Sequence, residues 1–407
     1  MLKAPKSLRL HIGLFGRTNV GKSSFLNYIA NQDVSITSSI PGTTTDVVEK
    51  AMELLPIGPV LFLDTAGVDD RSELSALRLN KTKKIFERSD IFVLVTEPGI
   101  WNEYEDLIVE QSKRQNAPLI VVVNKADIRR PDQGFLDRIK AVYENPLIIS
   151  CIDKKSQDFA IHDFKRRLIE VVPDDFLNPP PIIGDLIPHG GVVVLIIPID
   201  KEAPKGRIIL PQVQTVRDAL DHDQISVTVK ESEYALALKK LKDAPDLVVC
   251  DSQVVDKMVK DTPPGVLCTT FSILFARLRG NLSDMAQAAA VLDSLADGDR
   301  ILIAESCSHH PIEDDIGRVK MPRWIKDYTG KDLVFDSCAG RDFPEDIKKY
   351  KLIVQCGGCM ITRRELLARI EKAKAHGIPM TNYGVCISFL KGVLDRVLSP
   401  FAAELKR

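Results

Sequence analysis

Short apolar runs recur through the N-terminal part of the chain, at Leu10–Phe15, Val60–Asp64, Ile91–Thr96, Leu119–Val123 and Leu147–Ser150, each bounded by turn-forming residues. Stretches with apolar residues at helical spacing lie between them, Glu73–Arg88 and Asp163–Val172 among them. That alternation predicts a mainly parallel sheet covered by helices. Pro173-Asp-Asp-Phe-Leu-Asn-Pro-Pro-Pro181 then places four prolines in nine residues and reads as a linker.

Beyond the linker the pattern starts again. Gly191–Ile199 is a nearly continuous apolar run, the mark of a strand buried on both faces. A helical pattern at Val213–Asp221 and a strand pattern at Leu247–Asp251 follow. From Asn281 onward, Met285–Leu295 reads as helix and Arg300–Ala304 and Leu352–Gln355 as strands. Arg363–His376 reads as a helix stopped before Gly377-Ile-Pro379. The expected layout is α/β throughout: a nucleotide-binding domain over residues 1–172, a linker over 173–181, a second domain over 182–280 and a third over 281–407. No short-period repeat or low-complexity tract interrupts it.

Composition agrees with several domains, because 407 residues exceed one core of ordinary size. The formal net charge is −1, without a basic block or an acidic tail, so nothing points to a nucleic-acid groove. Met1–Leu10 lacks the apolar core of a signal peptide, and Val192–Ile199 is too short to span a bilayer. The expectation is a soluble, cytoplasmic protein. Eight cysteines in that compartment are not a disulfide framework, which makes some of them candidates for metal ligation.

Gly16-Arg-Thr-Asn-Val-Gly-Lys-Ser23 satisfies G-x-x-x-x-G-K-[ST] between a predicted strand and a predicted helix. Gly16 and Gly21 let the backbone curl so that successive N–H groups, through Asn19 and Val20, face phosphate oxygens. The positive end of the helix opening at Lys22, Ser23 and Ser24 assists. Lys22 would bridge the β- and γ-phosphates, and Ser23 would hold Mg²⁺. Asp64-Thr-Ala-Gly67 ends another strand: Asp64 can reach the Mg²⁺ shell, and the Gly67 amide can sense the γ-phosphate. Asn124-Lys125-Ala-Asp127 ends a third, where the aspartate can accept both N1–H and N2–H₂ of guanine, a donor pair that adenine lacks. Ser150-Cys151 falls where the last base-contacting loop is expected, with cysteine in place of the usual small residue. Together these motifs resemble the G-domain of translation-factor-class GTPases, which implies GTP and GDP as ligands.

Pro41-Gly-Thr-Thr-Thr-Asp46 resembles the first switch of the MnmE/Era-like GTPases, where a threonine, here Thr44, completes the Mg²⁺ shell; Thr45 replaces the usual arginine. Asn19 matches the P-loop asparagine that places K⁺ beside the phosphates in potassium-activated members, and a loop asparagine can equally bond its own backbone. Val68 stands where Ras-like proteins carry the water-orienting glutamine, so hydrolysis is expected to be slow.

Cys356-Gly-Gly-Cys359 sits at a predicted strand end, and a C-x-x-C turn can aim two thiolates at one metal or act as a redox dithiol. Cys307 and His309 end another strand, and neighbouring strand ends in a parallel sheet share a crevice. Cys338 and Cys386 are rival ligands, whereas packing is the default for the other cysteines. A G-domain followed by C-x-H, 46 residues, then C-x-x-C resembles the HydF family of [FeFe]-hydrogenase maturation GTPases. Gln355 stands where many members have histidine.

The resemblance implies a dimerisation domain and a third domain holding a [4Fe–4S] cluster on Cys307, Cys356 and Cys359. The fourth iron would be left to His309, water, or a carboxylate such as Asp314. It also implies a carrier that receives a diiron precursor from HydE and HydG and passes it to apo-hydrogenase HydA, acting as a homodimer. The competing reading is a tRNA-modification or ribosome-assembly GTPase with zinc on the three cysteines and His309.

Overall fold

The computed structural model describes residues 5–30, 48–64, 85–199, 208–306 and 315–405. The chain divides into two compact units, Met1–Pro179 and Pro180–Arg407. The first is built on a six-stranded sheet of order β2-β3-β1-β4-β5-β6. Its strands are β1 (Leu10–Phe15), β2 (Val48–Leu54), β3 (Gly58–Asp64), β4 (Ile91–Thr96), β5 (Leu119–Val123) and β6 (Leu147–Ile148). Only β2 is antiparallel to its neighbour.

Side chains alternate across a strand, so β1 feeds two cores. Leu10, Ile12 and Leu14 pack with Phe25 of α1 (Lys22–Ala30) and Phe164 of α4 (Gln157–Val171). On the other face Phe15 stacks on Phe86 and packs with Ile108 of α2 (Glu103–Arg114) and Ile139 of α3 (Gln133–Lys140). The predicted β1, β4 and β5 coincide with the observed ones, and the predicted helix 163–172 starts six residues earlier, at Gln157. The predicted helix 73–88 lies mostly outside the described residues; Ile85–Arg88 is helical. β2 was not expected, because Val48-Glu-Lys-Ala-Met-Glu-Leu54 intersperses charges as an edge strand does. Within the proline-rich stretch, Asp174–Leu177 forms one helical turn.

The second unit contains two four-stranded, wholly parallel sheets. The first has order β10-β9-β7-β8, with β7 (Val192–Ile196), β8 (Ile225–Val229), β9 (Leu247–Cys250) and β10 (Leu267–Thr270). The second has order β12-β11-β13-β14, with β11 (Arg300–Ala304), β12 (Val334–Cys338), β13 (Leu352–Gln355) and β14 (Met380–Asn382). Both use one plan: the first strand lies between the second and the third, and the fourth lies outside the third.

One continuous core runs from Val193–Ile196 and Leu247–Cys250 to Ile301–Ala304 and Leu352–Val354. The second and third expected domains therefore share their hydrophobic interior. They meet where Asn382 Nδ2 donates to the Ser272 carbonyl (2.8 Å) and the Gly384 amide to Ser272 Oγ (3.0 Å). Gly384 permits this closeness, since a Cβ there would lie 2.5 Å from Ser272 Cβ. Around the sheets lie α5 (Leu210–Asp221), α6 (Phe271–Arg279), α7 (Leu282–Ala289), α8 (Met321–Thr329), α9 (Arg363–Ala375) and α10 (Tyr383–Leu390). The expected helix 285–295 is α7, starting earlier and passing into a 3₁₀ turn at Ala290–Ser294. Among the described residues no helix is long and apolar enough to cross a membrane.

Candidate functional site

β1 delivers the chain straight into the glycine-rich loop. Gly16 has φ +150°, and a Cβ there would sit 2.4 Å from the Val95 carbonyl oxygen of β4. At Gly21 φ is +92°, and a Cβ would meet Asn124 Nδ2 at 2.3 Å. Both positions need glycine for conformation and for space. Asn19 is exposed with φ +63°, a left-handed geometry that asparagine tolerates. Lys22 Nζ donates to the carbonyls of Gly16 (2.7 Å) and Arg17 (2.9 Å), which holds the ammonium over the loop. Ser23 and Ser24 are exposed in the first turn of α1, and Asp64 is buried at the C-terminal end of β3, opposite Leu14 of β1.

Asn124 ties this loop to the chain following β6. Its Nδ2 donates to the Val20 carbonyl (3.0 Å), and its Oδ1 accepts from the Cys151 amide (3.2 Å). Lys125 has φ +59°, and its ammonium pairs with Glu97 (2.7 Å). Asp127, exposed, lines an open cleft of about 560 Å³ with Ala126, Ser150, Ile152 and Asp153. Ser150 Oγ is buried there with no hydrogen-bond partner among the described residues. Burial, with the Asp127 charge, pushes the Cys151 thiol up to about 12, which keeps it neutral. Thr44, Gly67 and Val68, with the rest of the first switch motif, lie outside the described residues.

The second cluster lies at the C-terminal edge of the β11–β14 sheet. From β11 the chain goes to β12 on one side and then to β13 on the other, so the strand order reverses between β11 and β13, the position where open parallel sheets bind ligands. Cys356 leaves β13 there, its amide bound to the Ala304 carbonyl (2.9 Å). Its sulfur accepts from the Ser306 amide (3.1 Å), and its S–H donates to Ser306 Oγ (3.4 Å). Gly358, at φ +70°, closes the turn to Cys359, whose thiol is raised by burial and by the neighbouring Cys356. Cys338 ends β12, level with Ala304, and burial pushes its thiol up to about 11.

Two arginines approach this turn. Arg279 donates to the carbonyls of Gly358 (2.5 Å) and Ile361 (3.3 Å), and Arg369 to Gln355 Oε1 (3.1 Å) and the Gly340 carbonyl (2.6 Å). Gln355 is fully engaged: its Nε2 also reaches the Ala304 carbonyl (3.0 Å) and Ser306 Oγ (3.2 Å). Cys307, His309 and Asp314 lie outside the described residues. Among the described residues no three His, Cys, Asp or Glu side chains converge as a metal site. Cys386 is buried in the core.

Three family models match this chain. Residues 11–125 match the 50S ribosome-binding GTPase model, 182–280 the hydrogen maturase F dimerization domain, and 283–400 the hydrogen maturase F tetramerization domain. The two maturase models together cover more than half of the chain. It belongs to the hydrogen maturase F family.

Among curated relatives, the chain is 34% identical over 157 residues to the tRNA modification GTPase MnmE of Prochlorococcus marinus (strain NATL1A), covering 38% of this chain and 33% of that protein. It is 27% identical over 254 residues to GTPase Era of Thermoanaerobacter sp. (strain X514), covering 56% and 79%. The chain thus spans about a third of the MnmE relatives. A solved structure of Era from Aquifex aeolicus aligns with TM-score 0.33 at 18% identity, covering 56% of this chain and 97% of that one. The architecture is a P-loop GTPase domain followed by the dimerization and tetramerization domains of a hydrogenase maturase.

Two features of these sites were not foreseen. Arg17, inside the P-loop, pairs with the wholly buried Glu105 of α2 (2.8 and 3.1 Å) and lies over the Tyr104 ring. Glu105 also accepts from the Asn102 amide in a capping box (2.9 Å), so one carboxylate starts the helix and braces the phosphate loop. Asn102-x-x-Glu105 was a visible capping signature; its link to Arg17 was not. The second feature is the arginine pair behind the cysteines, for which no local pattern exists.

Proposed function

We propose that this maturase is a GTP-controlled carrier: its first domain binds and slowly hydrolyses GTP, and its C-terminal sheet edge holds a [4Fe–4S] cluster on Cys307, Cys356 and Cys359. The observation that carries this reading is the Ser306 amide on Cys356 Sγ at 3.1 Å. It brings the main chain immediately before Cys307 against the Cys-Gly-Gly-Cys turn, although 49 residues separate Ser306 from Cys356. The donors suit iron, since thiolates are the ligands iron–sulfur clusters take. When bound, such a cluster supplies an iron with an exchangeable coordination position. The residues themselves supply the sulfur donors and a turn set by Gly358. Gln355 already spends its amide on protein partners, so His309, Asp314 or water is left for the fourth position. Asp315 is committed as well, accepting from the Arg318 amide (2.7 Å).

In the nucleotide domain, Lys22 would neutralise β- and γ-phosphate charge, and Ser23, Thr44 and Asp64 would serve Mg²⁺. Asn19, exposed on the loop, is available to a monovalent cation such as K⁺. Membership of the maturase family supports a diiron precursor as cargo, HydE and HydG as donors, HydA as recipient, and GTP state as the regulator of those associations. The tRNA-modification or ribosome-assembly reading is not favoured, because the models matched beyond residue 181 are maturase models.

Anaerobic reconstitution with iron and sulfide tests the proposal, with iron counted and EPR recorded on wild type and on Cys307→Ser, Cys356→Ser and Cys359→Ser. A brown wild type and depleted variants are expected. A colourless, zinc-loaded protein, or full clusters in all three variants, would sink the assignment.

A further inference from the structure

Arg279, at the C-terminal end of α6, and Arg369, in α9, are only 5% and 6% exposed. Among the described residues, the hydrogen bonds of each guanidinium go to neutral oxygens: carbonyls of the cysteine turn for Arg279, Gln355 and Gly340 for Arg369. Among the described residues neither meets a carboxylate at ion-pair distance. Glu365, the acidic group in reach of Arg369, is taken by Arg341 (2.9 Å) and by the Thr362 cap of α9. The remaining groups within electrostatic reach are Cys359 and Cys356 for Arg279, and Cys338, Cys356 and the Arg341 cation for Arg369.

Buried charge without a partner is costly, and arginine cannot shed its proton to escape that cost. A structure that buries two guanidiniums behind one turn is incomplete in its charge balance until an anion arrives. We infer that Arg279 and Arg369 are the counter-ions of a negatively charged metal–thiolate group on Cys356 and Cys359, so that the site selects an anionic occupant. This rests on the cysteines being cluster ligands. Two fixed positive charges beside a redox centre favour its more negative, reduced state. The bland alternative is that the arginines only brace backbone carbonyls, as cations near helix ends and turns commonly do.

The test uses the full-length chain carrying Arg279→Gln, Arg369→Gln, Arg279→Lys or Arg369→Lys. Glutamine keeps a donor for the carbonyls but no charge; lysine keeps the charge. After anaerobic reconstitution, iron content and an EPR-monitored redox titration are read, with melting temperatures of the metal-free proteins as a check on folding. Each Gln variant should disfavour the reduced form at least tenfold, about 59 mV lower for a one-electron couple. The Lys variants should stay within threefold of wild type. Loss of iron in a Gln variant but not in its Lys counterpart supports the inference equally. Gln variants that load fully and titrate within twofold of wild type overturn it. So do Gln and Lys variants that lose iron and melting temperature alike, which makes the arginines braces. A wild type that takes up no iron instead removes the cluster reading itself.

Discussion

Asn124→Ala isolates the contact that makes one nucleotide site out of separate loops. The side chain is 3% exposed and bridges the Val20 carbonyl and the Cys151 amide. Truncation leaves both backbone groups without that partner, and each such loss costs about 1–3 kcal/mol when water cannot substitute. Val20 is buried, whereas Cys151 is partly accessible, so a total of about 2–3 kcal/mol is reasonable. If the loops relax when empty and must be re-ordered by nucleotide, that energy appears as affinity, roughly 30- to 140-fold weaker binding at 1.4 kcal/mol per decade. Titration with a fluorescent GDP analogue reads the binding part, and thermal melting of the nucleotide-free protein reads any part taken by stability. A dissociation constant within threefold of wild type, with an unchanged melting temperature, would refute the bridging role.

Other perturbations address neighbouring groups. Asp127→Asn replaces an acceptor with a side chain that can also donate, so preference should move from guanine toward xanthine nucleotides; retained guanine selectivity in competition assays would contradict the assignment. Gly21→Ala forces a Cβ to 2.3 Å from Asn124 Nδ2 at φ +92° and should abolish measurable GDP binding while the cysteine site still loads iron. Asn19→Ala should remove any stimulation of GTP hydrolysis by K⁺ over Na⁺; stimulation that persists excludes Asn19 from that role. The Cys151 thiol ionises near 9.0 in an unfolded chain and near 12 in the fold, so its protonated form belongs to the folded state. Its contribution to stability is intact below pH 9 and is lost as the pH climbs toward 12. Cys151→Ala should therefore flatten the alkaline decline in stability of the nucleotide domain, and an unaltered slope in denaturant titrations at pH 9 to 11 would argue against this.

The glycine-rich loop after β1 was legible in the chain because a tight turn between a strand and a helix depends on local backbone geometry. Gly16 and Gly21 take the positive φ that a tight loop demands, directly after a strand apolar at nearly every position. Strands buried on both faces, such as β4, β5 and β11, were readable for a similar reason: central position requires unbroken hydrophobicity. Two edge strands, β8 and β12, were not foreseen. Both are half exposed at the margins of their sheets; Ile225-Ser-Val-Thr-Val229 carries a strand-like alternation that was overlooked, whereas Val334–Cys338 has no such period. Strand order, too, belonged to the tertiary structure, and with it the placing of Cys356 beside Ser306, because sequence spacing does not say which strands become neighbours. The same holds for Glu105 under Arg17 and for the two arginines behind the cysteines. A lone charged residue in a helix is a solvated one by default, and only packing decides which charges are buried and what they face.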